Sequence, residues 1–250
     1  VTERSAIVTG AARGIGLAIS RRLVADGFAV VMADVDGQAL RDARSVLEGP
    51  RAGETVMVVG DLTREAAAAS VVQQCQEAFG SVDVLVNNAG GGVILPTLEH
   101  TEETLQTTID RNLWTTIRAT LAVLPTMVDQ HYGRIVNLGA ESVRNGLYWH
   151  AVYNAAKGGV HGFTTGLARE FAEHGITVNA VAPSAVMTEA VAALTDPTAL
   201  ELIQRMIDLI PVGRAATVEE VASVVAYLAS DEASFVTGQV VSVNGGSSML

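Results

Sequence analysis

The chain has 250 residues and a formal charge of −11, from 16 basic and 27 acidic side chains. With 49% apolar and only 17% charged residues it can bury a core, which excludes an intrinsically disordered chain. The acidic balance argues against nucleic acid or anionic lipid as partners, and the single cysteine excludes a disulfide scaffold.

Short β-branched runs alternate with longer helical patterns. Strands are predicted over 5–9, 28–34, 55–59, 82–87, 134–138, 176–181 and 239–243, nearly all apolar, as parallel strands buried on both faces should be. Helices are predicted over 15–26, 37–47, 64–79, 102–130, 151–174 and 218–229. The order implies a Rossmann-type α/β fold, a doubly wound seven-stranded parallel sheet with helices on both faces. The alternation is unbroken, so residues 1–250 are read as one domain. Two stretches interrupt the rhythm: an aromatic-rich loop at 143–150 and a long insertion at 183–211. Within the insertion, 188–211 is read as a substrate lid, the alternative being core-packing helices or a subunit contact. No apolar run reaches the roughly 18 residues of a membrane span. Residues 1–4 lack a signal-peptide pattern, so a cytoplasmic protein is expected.

The first strand runs into Thr9, Gly10, Ala11, Ala12, Arg13, Gly14, Ile15 and Gly16. Glycines there let backbone turn sharply against a pyrophosphate, and the helix N-terminus offers it free N–H groups. The second strand ends at Asp34, 18 residues beyond Gly16, where a carboxylate can accept from the ribose hydroxyls of a dinucleotide. It would also repel the extra phosphate of NADP, so NAD is the expected cofactor. Arg13 pulls the other way, since it can reach a 2′-phosphate, and Asp34 can instead be a helix cap. Asp61 and Leu62 follow the third strand, with Asp61 placed to accept from an adenine amino group. Asn87, Asn88, Ala89 and Gly90 end the fourth, and Asn88, Ala89 and Gly90 are read as cofactor contacts. The two asparagines can equally be turn residues.

Tyr153 and Lys157 stand at i and i+4, on one face of a helix. A phenol with a pKa of about 10 is a poor base at neutral pH, and a neighbouring ammonium improves it. These four motifs in this order resemble the short-chain dehydrogenase/reductase family, along essentially the whole chain. The resemblance implies that Tyr153 is the acid/base, that Lys157 tunes it and binds the nicotinamide ribose, and that Asn112 supports the proton relay. It also implies cofactor contacts from Pro183, Val186 and Thr188, and a homotetramer built through 102–130, 151–174 and 239–250. The family serine, 13 residues before the tyrosine, falls on Ala140. Ser142 is the nearest hydroxyl, facing the same way in extended chain, and is taken as its replacement. The segment around Ser142 resembles members acting on cyclic alcohols or aromatic-pathway dihydrodiols. The alternatives are a 3-oxoacyl-thioester reductase of the same family or a non-catalytic dinucleotide binder.

The expected pocket is walled by 91–95, 143–150 and 191–210. Tyr148 and Trp149 either stack on a substrate ring or merely pack. Arg144 either holds a carboxylate or is a solvated loop charge. His150 either orients substrate or caps the helix. His100, His131, His161 and His174 lack metal-ligand spacing, Cys75 reads as inert packing, and no metal is expected.

Overall fold

A computed structural model describes residues 4–249. The expectations placed on residues 1–3 and on Leu250 lie outside them.

Seven strands form one sheet in the order β3-β2-β1-β4-β5-β6-β7, and every neighbouring pair is parallel. They are β1 (Ser5–Thr9), β2 (Ala29–Asp34), β3 (Val56–Val59), β4 (Val84–Asn87), β5 (Gly133–Leu138), β6 (Ile176–Pro183) and β7 (Val240–Val243). Parallel neighbours need crossovers, and the longer helices supply them. Those helices are α1 (Gly14–Ala25), α2 (Gly37–Ser45), α3 (Glu65–Phe79), α4 (Glu102–Ile109), α5 (Thr115–Gln130), a short α6 (Ser142–Asn145), α7 (Ala151–Phe171), α8 (Glu189–Ala192), α9 (Pro197–Asp208) and α10 (Val218–Ala229).

Strand side chains alternate between two cores. Ala6, Val8, Val30, Met32, Val84 and Val86 face α1 and α10, where Ile19, Leu23, Val221 and Val225 cover them. Ile7, Val31, Leu85 and Ile135 face the other layer, with Val71, Val72, Val123 and Met127. Both faces are thus apolar, which is why the strands read as continuous apolar runs. Polar side chains mark the helix starts. Asp36 caps α2 by accepting from the Ala39 N–H at 3.0 Å, and Thr101 and Thr217 form capping boxes on α4 and α10.

The single helix expected over 102–130 is instead three pieces. Between α4 and α5 the backbone widens into a π-helical turn, Asp110–Trp114, which carries Asn112. Such a turn adds one residue without interrupting an amphipathic pattern, so periodicity does not reveal it. Among the described residues no helix is long and apolar enough to cross a membrane.

One polar seam crosses the core under the carboxyl ends of the central strands. The Asn87 amide donates to Thr120 Oγ1 at 2.9 Å and to Asn137 Oδ1 at 2.8 Å. The Asn137 amide in turn donates to Thr164 Oγ1 at 2.9 Å. The seam joins α5, β4, β5 and α7, so it fixes the height of α7 on the sheet. Asn137→Ala leaves its buried neighbours without those partners and is expected to destabilise the fold by about 2 kcal/mol. Urea unfolding checks it: a lower midpoint at unchanged slope is the expected outcome.

Candidate functional site

The site lies at the carboxyl ends of the strands, where β1 and β4 are neighbours although not consecutive. There the connections after β1 and β4 depart to opposite faces and leave a crevice. The Gly10 turn comes very close to the β4 loop. A Cβ on Gly10 would meet the Ala89 backbone at 2.9 Å, and one on Gly16 would lie 2.0 Å from the Gly10 carbonyl. Gly10 and Gly14 also have φ of +62° and +54°, open to glycine at no steric cost. Asn88 staples this contact. Its amide donates to the carbonyls of Thr9 and Gly10 at 3.0 and 2.9 Å, and Thr9 Oγ1 accepts from the backbone N–H of Asn88 and Ala89. The Asn88 side chain thus holds the loop while the residue also lines the crevice.

From this crevice a cleft of about 820 Å³ runs outward past Arg13, Asp34, Asp61, Leu62 and Thr188. Asp34 is not a helix cap; Asp36 is. Asp34 Oδ2 accepts from the Ala12 N–H at 3.1 Å and Oδ1 from the Asp36 N–H at 3.1 Å, which leaves each oxygen a lone pair for a ligand. Arg13 is ion-paired with Asp36. Asp61 accepts from Thr63, whose hydroxyl lies at 2.7 Å and lowers the carboxyl pKa. A cradle that side chains would fill, a helix N-terminus at Gly14 and carboxylates at the far end together suit a dinucleotide.

At Ile15, Asn88 and Gly90 the cleft opens into a second pocket of about 390 Å³. Tyr153 and Lys157, one turn apart on α7, line it with Ser142. Lys157 Nζ donates to the Leu138 carbonyl at 2.6 Å and lies 5.9 Å from the centroid of the Tyr153 ring. Burial pushes the Tyr153 phenol up to about 12 and pulls the Lys157 ammonium down to about 8. Ser142 is reached differently from the extended-chain argument: it opens the helical turn α6. Its Oγ is buried and has no hydrogen-bond partner among the described residues.

Asn112 is fully buried, and its side chain holds the loop after β4. Oδ1 accepts from the Gly91 N–H at 3.2 Å, while Nδ2 donates to the carbonyls of Gly91 at 3.2 Å and Thr108 at 2.9 Å. Gly90 sits between Asn112 and Lys157; a Cβ there would be 2.8 Å from Asn112 Oδ1 and 3.5 Å from Lys157 Nζ. Pro183 and Val186 line the pocket. Thr188 Oγ1 caps α8 by accepting from the Val191 N–H at 3.2 Å.

Several expectations change. Arg144 is neither solvated nor in the pocket. It donates to Ser242 Oγ and to the Val240 carbonyl on β7, beside Glu141. Tyr148 is 70% exposed under Arg205, and neither it nor Trp149 lines the pocket; Leu147 and His150 do. His150 makes no cap bond. Its Nδ1 donates to the Tyr148 carbonyl at 2.6 Å, so Nε2 is the acceptor nitrogen, and the ring stands edge-on to Tyr153. Burial lowers the His150 pKa, against the opposing pull of the Tyr148 carbonyl. Of the expected wall 191–210, Met206 on α9 reaches the pocket, while 183–186 line it from the start of the insertion. Two residues carried no motif. His161, held near a pKa of about 4 by burial, accepts from the Ala140 N–H at 3.4 Å. Glu141, fully buried, accepts from the Ser242 and Ser248 hydroxyls.

Known proteins resemble the chain along nearly its whole length. A family profile described as enoyl-(acyl carrier protein) reductase matches residues 10–248. The 2,3-dihydroxy-2,3-dihydro-p-cumate dehydrogenase of Pseudomonas putida is 55% identical over 245 residues, 98% of this chain and 94% of that protein. The 3-oxoacyl-(acyl-carrier-protein) reductase of Salmonella typhimurium is 38% identical, over 98% of this chain and 97% of that protein. The crystal structure of levodione reductase superposes with a TM-score of 0.91 at 31% identity, over 97% of this chain and 96% of that one.

The buried Lys157 carries a stability consequence. Its ammonium falls from an ordinary 10.5 to about 8 on folding, so below pH 8 the folded state is disfavoured by about 3 kcal/mol, a burden that fades as pH rises from 8 to 10.5. Lys157→Met is expected to raise Tm at neutral pH, although it also loses the bond to Leu138. The advantage should shrink as pH approaches 10. Melting curves across that range check both the sign and the trend.

Proposed function

The chain belongs to the short-chain dehydrogenase/reductase family, and we propose that within it the protein is an NAD-dependent dehydrogenase of cyclic vicinal diols of the dihydrodiol type. As a family member it is an oxidoreductase that acts on CH–OH groups with a nicotinamide cofactor. The observation that carries the proposal is the convergence of Tyr153, Lys157 and Ser142 on one pocket that opens into the dinucleotide cleft.

Bound in the cleft, the nicotinamide supplies the hydride acceptor. Tyr153 takes the proton from the alcohol oxygen. Burial alone makes its phenolate costly, so the positive charge of Lys157 has to offset that burial. Ser142 Oγ holds the reacting oxygen in the place of the family serine. Asn112 keeps Gly90 and Gly91 against Lys157, where a relay from Tyr153 would leave. The pocket wall is largely apolar, with Ile94, Leu147 and Met206, and suits a compact ring. We read 188–211 as its lid, on the contact of Met206 and on α9 having no fully buried residue.

NAD is favoured over NADP by two features of the cleft. Asp34 keeps a carboxylate at the end of the cleft read as taking the ribose, and Asp36 ion-pairs with Arg13, the cation that could otherwise reach a 2′-phosphate. The diol substrate rests on the dehydrogenase that is 55% identical; the thioester reductase is 38% identical. Among the described residues Trp114, Leu121 and Met249 expose large apolar surface at the expected subunit faces, which supports a homotetramer. We place it in the cytoplasm, consistent with its single cysteine.

NADH fluorescence with a panel of cyclic diols, mono-alcohols and 3-oxoacyl thioesters tests the proposal. Diol oxidation with NAD, faster at higher pH because the phenolate is the reactive form, is the expected result. Tyr153→Phe should lower kcat/KM at least about a thousandfold and Ser142→Ala at least about tenfold. Preference for NADP or for thioesters would refute the assignment. Light scattering should give about four times the 26.0 kDa chain mass; a monomer would refute the tetramer.

A further inference from the structure

The pocket beside Tyr153 holds more polar atoms than one alcohol oxygen needs. Tyr153 and Ser142 suffice for the reacting oxygen. Two further residues of the lining, Asn145 and Ser247, each carry a buried oxygen, Asn145 Oδ1 and Ser247 Oγ, without a hydrogen-bond partner among the described residues. Buried polar atoms are rarely left unpaired unless a ligand or water meets them.

Neither residue is loosely held. Asn145 closes α6, where its N–H donates to the Glu141 carbonyl at 3.2 Å. Ser247 belongs to the tail after β7. The tail is folded on Asn244, whose Nδ2 donates to the Ser248 carbonyl at 2.8 Å and whose Oδ1 accepts from the Gly246 N–H at 2.9 Å. Glu141 then ties the tail to the catalytic turn, because its buried carboxylate accepts from the hydroxyls of Ser248 and Ser242 while its backbone leads into Ser142. Glu141 therefore ties both segments of the pocket lining together, its backbone carbonyl holding Asn145 and its carboxylate holding the tail that carries Ser247.

We propose that Asn145 and Ser247 form a second oxygen subsite, which reads the hydroxyl of the diol that is not oxidised. This rests on the diol reading of the reaction. An amide oxygen can only accept, so Asn145 Oδ1 calls for an O–H donor, and a serine hydroxyl can give or accept beside it. A vicinal diol supplies such a group next to the reacting carbon. A mono-alcohol and an acyl thioester do not. A site built to bond a hydroxyl discriminates against the analogue lacking it, since its own buried groups are then left unpaired.

The test compares a cyclohexadiene cis-diol with cyclohexenol, as the ratio of their kcat/KM values with NAD. Ser247→Ala is expected to lower that ratio about tenfold, chiefly through KM for the diol, as loss of one hydrogen bond does. Ser247→Thr, which keeps the hydroxyl, should restore it, and Asn145→Ala should lower it in the same sense. A ratio within about twofold of wild type in both alanine variants overturns the subsite and leaves the diol assignment standing. A wild-type enzyme that oxidises cyclohexenol but no diol overturns both.

Discussion

An ammonium group inside the core governs the arrangement of this molecule. Lys157 is buried, and its bond to the Leu138 carbonyl is the contact that makes its position tolerable. Leu138 ends β5, so the bond fixes α7 against the strand end where the chain turns toward Ser142. Tyr153 is then set by helix geometry alone, one turn away. Gly90 packs closely on Asn112, whose Oδ1 would lie 2.8 Å from an added Cβ, with Lys157 Nζ in ordinary contact on the other side. The polar seam through Asn87, Asn137 and Thr164 meets the same helix two turns further on. These polar groups do not add to a hydrophobic core; they fix where the core stops and the chemistry begins.

The same burial explains why this corner works against the stability of the fold. Desolvation raises the phenol and lowers the ammonium, and each shift disfavours the charged form. With both groups charged, the opposite signs would offset part of that cost. A pair buried this way is strengthened by the low local dielectric. The unpaired Oγ of Ser142 belongs to the same pattern, a group poised for a partner that the folded chain does not itself provide.

Much of this was legible in the residues. Apolar strands alternating with helical stretches specify a parallel sheet because both its faces are covered. Glycines at 10, 14 and 16, with Asp34 beyond them, mark the crevice, and Tyr153 and Lys157 announce themselves by spacing. What escaped depends on contacts between distant segments. Nothing near Arg144 in sequence reveals that β7 lies within its reach. The widened turn at Asn112 leaves no periodic trace. Asn88, read as cofactor-binding, lines the cleft, but its amide is engaged in holding Thr9 and Gly10. Glu141 looks like a surface charge in a polar run and is fully buried, because Ser242 and Ser248 arrive from the far end of the chain.

That arrival separates the two halves of the site. The cofactor half is made from backbone: glycine turns, a helix N-terminus, and a carboxylate that holds the turn while facing the ligand. Backbone recognition tolerates little variation, which is why it could be read from short motifs. The substrate half is made from side chains on α6, the start of α7, α9 and the tail after β7, which meet only in the folded protein. Residues on these segments can change without disturbing the sheet, unlike Leu138 and Pro183 of the lining, which end β5 and β6. Substrate choice can therefore shift through loop residues while Tyr153 and Lys157 stay where β5 and α7 hold them, and the buried Glu141 is what keeps such loops in fixed register with the chemistry.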